Sequence, residues 1–133
     1  MDHYRALMQE HPKQVSTLDL VITCVEACGD CASSCTGCAD ACLAEDKLEM
    51  LRECIRLDLD CAAVCRATGD VVARLTRPHK APMEALLRAC IEACRACAAE
   101  CGRHAGMHAH CRVCAEACRA CEQACEALLK AMP

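Results

Sequence analysis

The sequence predicts an all-α fold, an antiparallel up-down-up-down four-helix bundle with a short extra helix at its N-terminus. Three observations carry that prediction. Cysteines recur in alternating steps of four and three residues, chain breakers fall between the segments so marked, and the aromatic residues that fill most cores are missing. The 133 residues include 18 Cys, no Trp, no Phe and one Tyr, Tyr4. A chain of this length makes one domain, residues 1–133, and cysteine takes the place of the usual core residues.

Taken in order, Pro12 closes a short N-terminal helix within residues 1–12, at about 3–11. A first long helix spans about 17–43, where Cys24, Cys28, Cys31, Cys35, Cys38 and Cys42 step by 4, 3, 4, 3, 4. That alternation marks a helix whose seam faces other helices, whereas a strand requires steps of two. Ala44-Glu45-Asp46 makes a tight connection to a second helix, about 47–75. There Cys54, Cys61 and Cys65 share one seam if Asp58 fills the missing rung. Thr76 to Pro82 forms the longest loop, because its two prolines are poorly tolerated inside a helix. A third helix, about 83–104, carries Cys90, Cys94, Cys97 and Cys101. Gly106 marks a turn, and a fourth helix, about 108–131, carries Cys111, Cys114, Cys118, Cys121 and Cys125. Short loops make successive helices antiparallel neighbours.

The formal charge is −4 and the basic residues alternate with Glu and Asp, as on solvated helix faces; nothing suggests nucleic-acid binding. The first ten residues contain neither an apolar h-region nor a twin-arginine signal, and no apolar run reaches the length of a membrane span. A cytoplasmic, non-membrane protein is expected, in a compartment that keeps thiols reduced. Disulfides within a helix are disfavoured too. Cβ atoms at i and i+4 lie about 5–6 Å apart, whereas a disulfide needs about 3.8 Å. No nucleophile–base pair or cofactor loop occurs outside the cysteine rows, so no enzyme is expected.

The cysteines therefore point to metal. With their seams facing inward they line a tube, about 27 Å long on the first helix at about 1.5 Å per residue. Leu18, Val21, Val72, Leu75, Leu87, Leu128 and Met132 continue the same seams at one end and should form an apolar plug. Eight C-x3-C pairs place two sulfurs on adjacent turns, an arrangement suited to copper(I), which is soft and accepts few ligands. Zinc wants four ligands in a tetrahedron, which parallel rows do not obviously supply. The bacterial ferredoxin run of cysteines is absent. Charge points the same way, because buried thiolates must be neutralised and each copper(I) carries one charge. Two exclusive thiolates per ion would give about 9 copper(I) from 18 Cys, and full bridging about 18, with the upper half of that range expected. An iron–sulfur or thiol-redox electron carrier and a zinc buffer stay open as alternatives.

At the opposite end His104, Met107 and His108 continue the rows, with His110 beside them, and are expected to be entry or exit ligands at a mouth. Imidazole and thioether hold copper(I) more weakly than thiolate, which suits handing ions inward to Cys42, Cys101 and Cys111. Met50 is expected in the core. Asp58 has two readings. Either it sits on the seam, accepting hydrogen bonds from thiols or from His104 or ligating an ion, or its helix is rotated and Asp58 lies at the boundary.

The cysteine ladder from Cys24 to Cys125, its repeated C-x3-C pairs and the His-Met hairpin resemble the copper storage proteins, and specifically their cytosolic branch. The resemblance covers nearly the whole chain. It implies a four-helix bundle that stores copper(I) along its core through paired cysteines, a homotetramer, and exchange with copper-donor or copper-acceptor proteins in copper homeostasis. A mouth dominated by histidine is similar to that of the cytosolic members.

Overall fold

A computed structural model describes residues 1–133. The elements are α1 (Asp2–Gln9), α2 (Leu18–Leu43), a 3-10 turn (Leu48–Leu51), α3 (Arg52–Val72), α4 (Lys80–Arg103) and α5 (Ala109–Ala131). Helices α2 to α5 form the bundle. Each packs on two neighbours, in the order α2–α3–α4–α5–α2, and α1 lies along α2. Met8 of α1 is buried against the bundle, and Arg5 pairs with Glu26 of α2.

Three elements depart from expectation at their ends. The second long helix was expected over 47–75, but its first turn is the tighter 3-10 form, which tucks Leu51 into the core, and its α-helix stops at Val72. Short i to i+3 bonds close its end, with the Arg74 N–H donating to the Val71 carbonyl at 3.2 Å. The third begins at Lys80 instead of 83, so Pro82 lies inside it. Pro82 is tolerated there because the first four N–H groups of a helix have no intrahelical partner, and Pro lacks one of them at no cost. Helix α1 stops at Gln9, two residues short of the expected end.

Val21, Val72, Leu75, Leu87 and Leu128 are all buried, and Leu18 and Met132 pack against them, so the plug closes the end of the bundle that holds the α3–α4 loop. Thr68 ends the cysteine seam of α3 just above it, satisfied by donating to the Val64 carbonyl at 2.7 Å. The thiol-lined length thus has a sealed apolar floor at one end. The α2–α3 and α4–α5 turns frame the other end. No helix is long and apolar enough to cross a membrane.

Candidate metal centre

All 18 cysteines point into the bundle, none more than 3% exposed, and none is joined in a disulfide. Sulfur meets sulfur on three kinds of path. Along one helix, Cys31–Cys35, Cys61–Cys65 and Cys97–Cys101 are 3.9, 3.8 and 3.9 Å apart. Between neighbouring helices, Cys24–Cys125, Cys61–Cys94 and Cys35–Cys118 stand at 3.8, 3.8 and 3.6 Å. Across the diagonals, Cys31–Cys94 and Cys65–Cys121 are 4.0 and 3.9 Å apart. The tube has no lumen wider than a sulfur–sulfur contact at those levels. Small cysteine side chains let the four helices approach that closely, which is why no aromatic residue is needed.

The sulfurs fall into groups of four whose ligand atoms lie within 4.8 Å of one another. Among them are Cys28, Cys90, Cys121 and Cys125 near the floor, Cys31, Cys35, Cys61 and Cys118 in the middle, and Cys38, Cys42, Cys54 and Cys111 near the mouth. This corrects one step of the reasoning from sequence, because facing rows do supply four-sulfur sets of a size zinc could use. The groups are not separate, however. Cys31, Cys35, Cys118 and Cys121 each belong to at least two, and Cys101, 3.3 Å from Cys54 and 3.9 Å from Cys97, joins the mouth group to the rest, so the sulfurs form one continuous lattice.

Asp58 stands where α3 lacks a thiol and is fully buried, so it sits on the seam and helix α3 is not rotated away. Its Oδ1 accepts from the thiols of Cys97 and Cys114 at 3.1 Å each and from Cys101 at 3.4 Å, while the Cys54 thiol faces Oδ2 at 3.8 Å. Burial pushes its carboxyl up to about 8, so at neutral pH the metal-free protein keeps Asp58 protonated in the main. Of the partners considered for it, the thiols are those it meets. His104 instead turns to Glu100, its Nε2 lying 2.8 Å from Oε2.

The thiols divide by their surroundings. Burial pushes Cys111 up to about 11 and moves Cys42 upward as well, so these two hold their protons until a metal displaces them. Neighbouring thiols, Cys101 foremost, draw Cys54 downward, and Cys125 foremost draws Cys24 downward.

At the mouth His110 makes the direct link to the core. Its Nδ1 lies 3.4 Å from the Cys38 sulfur and 3.6 Å from that of Cys111, and its Nε2 lies 3.4 Å from Glu45 Oε2. His108 caps the start of α5 and pairs through Nδ1 with the same Glu45 oxygen. Met107 is 65% exposed and points away from the sulfurs, and Met50, expected in the core, is 55% exposed. A cavity of about 210 Å³ lies between them, lined by Glu45, Leu51, His104 and His108 among others. Reasoning from sequence missed the two acids here. Glu100 could have been found as the residue four before His104, a standard helical pairing. Glu45 lies in a loop, where no periodicity points to it.

The model of the copper storage protein family matches residues 19–130. The chain belongs to that family. The match takes in α2 to α5 and every cysteine, and leaves α1 outside. Among solved structures, the chain is similar to the copper storage protein Ccsp from Streptomyces lividans loaded with 10 copper equivalents, at 48% identity and a TM-score of 0.93 over 97% of this chain and 99% of that one. A cytosolic copper storage protein from Streptomyces lividans carrying five coppers is 53% identical, with a TM-score of 0.85 over 86% of this chain and 96% of that one. The Cu(I)-bound copper storage protein BsCsp3 is 36% identical, with a TM-score of 0.72 over 81% and 96%. No curated protein sequence matches the chain.

Proposed function

We propose that this chain stores copper(I) as a lattice bridged by its core thiolates, with residues 1–133 acting as one functional domain. The observation that carries the reading is the sharing of sulfurs between groups. A zinc ion needs four sulfurs of its own and would leave each such site with two uncompensated negative charges in the core. Copper(I) carries one charge, is soft, and accepts two or three thiolates, so a shared lattice approaches neutrality as it fills. All 18 cysteines are metal ligands on this reading, and capacity falls between about 9 and 18 ions per chain. The solved relatives that carry five and 10 copper equivalents support storage of many ions in this fold. They also support a cytoplasmic setting.

Asp58 borders the sulfurs of the upper lattice, and His104, Met107, His108 and His110 form the entry and exit face. His110 is the one that reaches core sulfur. Met107 serves as an outer ligand on the exposed rim. The role is sequestration rather than catalysis, with copper exchanged at the mouth with donor and acceptor proteins. Resemblance to the family supports assembly as a homotetramer.

X-ray absorption at the copper edge of the fully loaded protein tests the chemistry. Copper(I) with sulfur as nearest neighbours and a short copper–copper distance is expected. Nitrogen or oxygen scattering in place of sulfur would refute a thiolate lattice. A protein that retained zinc in preference to copper(I) would make it a zinc buffer.

A further inference from the structure

We infer that Glu45, His108 and His110 form a second metal site, for a divalent ion of the zinc type, which caps the mouth of the copper(I) tube. Three donor atoms converge there: Glu45 Oε2, His108 Nδ1 against it, and His110 Nε2 at 3.4 Å. Bonds of about 2.0–2.1 Å arranged as a tetrahedron hold their ligand atoms about 3.4 Å apart, so the oxygen–His110 separation needs little adjustment, while the His108 ring, in direct contact with the oxygen, draws back to admit an ion. The two rings are stacked, with centroids 5.5 Å apart and planes inclined by 25°, and both present a nitrogen to the same oxygen. The side chains are 20–31% exposed, within reach of ions from solvent. Glu45 and His108 also line the mouth cavity, which leaves room for a water in the fourth position.

Two imidazoles and a carboxylate make a nitrogen and oxygen set, which suits a divalent ion of intermediate softness and disfavours copper(I). The ring of His110 ties this site to the store. Its Nδ1 faces the Cys38 and Cys111 sulfurs at 3.4 and 3.6 Å, while its Nε2 faces the Glu45 oxygen at 3.4 Å. This link to the store rests on the copper reading; the convergence of the three donors does not. A divalent ion bound there fixes His110 and removes it from copper exchange, so a filled tube becomes a closed one.

The test uses the full chain, reduced and loaded to saturation with copper(I) without oxygen, so that the core thiols are occupied. Cobalt(II) is titrated in as a spectroscopic probe. One cobalt(II) per chain is expected, with the weak visible bands of nitrogen and oxygen ligation and no thiolate charge transfer. Glu45→Gln is expected to weaken retention at least tenfold while the copper count stays that of the unaltered protein, and His108→Ala is expected to weaken it similarly. One equivalent of zinc(II) should slow copper release to a copper(I)-selective chelator in the unaltered protein and not in Glu45→Gln. Failure to retain cobalt(II), equal retention by Glu45→Gln, or thiolate charge transfer would each overturn the site. Copper loading that itself failed would overturn the store and the cap with it, whereas normal loading without cobalt(II) retention would overturn the cap alone.

Discussion

Replacing Asp58 by Asn should change how the stability of the metal-free protein depends on pH. Asp58 is fully buried, and its carboxyl rises from 3.8 to about 8 in the folded state. The folded protein therefore binds a proton at Asp58 that the unfolded chain has released. A raised value of this sign gives a contribution that is complete below 3.8 and is lost as pH climbs toward about 8. The loss runs at about 1.4 kcal/mol per pH unit and totals on the order of 5 kcal/mol over that interval. Asn keeps the shape, and its oxygen still accepts from Cys97, Cys101 and Cys114, but it has no proton to lose. Denaturant unfolding of both proteins, reduced and with metal chelated, at pH 5, 6 and 7 gives the comparison. The stability of Asp58→Asn relative to the unaltered protein should grow by about 1.4 kcal/mol for each unit. Groups remote from Asp58 titrate alike in both proteins and cancel in the difference. A difference that stayed flat across the three pH values would refute the argument that the carboxyl is held protonated.

Cys38→Ala with Cys42→Ala removes two sulfurs from the mouth group, and capacity should fall by one or two ions while far-ultraviolet circular dichroism still reports full helix content. Collapse of the metal-free fold would show that those thiols hold the bundle together. Substituting Ala at His104 and His108, or at His110, should slow copper exchange with a chelator in stopped-flow measurements and leave total capacity nearly the same. An equal fall in capacity would make these residues storage ligands. Leu128, 1% exposed in the apolar floor, should cost about 2–5 kcal/mol when cut to Ala, read by chemical denaturation. It should leave the copper count unchanged, because Leu128 lies in the floor beyond the sulfurs and offers no ligand atom.

The fold was legible in the sequence because one physical constraint repeats along it. Each cysteine had to face the same axis, and alternating steps of four and three do that only on packed helices. Breakers were less informative than the ladder. The sequence places Pro82 in a loop, yet the first turn of a helix accepts proline, and α4 begins before it. Asp58 was visible as a missing rung between Cys54 and Cys61, but its partners were not, since they lie on α4 and α5 and depend on how the helices are rotated. The mouth was read least well. Stepping along the seam selected His104 and Met107, but α4 ends at Arg103 and the seam with it, so His104 turns to Glu100 and Met107 to solvent. His110, adjacent in sequence to Cys111, is off the ladder and still reaches sulfur, because the first turn of α5 tips its ring over the opening. Side chains in turns answer to local geometry, which no periodicity encodes.

An anaerobic titration of the reduced, metal-free protein with copper(I), read against a competing chelator, tests the central claim most directly. The account predicts saturation between about 9 and 18 equivalents per chain, in the upper half of that range, with no comparable uptake of zinc. Saturation near four equivalents, or stronger loading with zinc or iron, would contradict it, because discrete four-sulfur sites would then have replaced the shared lattice.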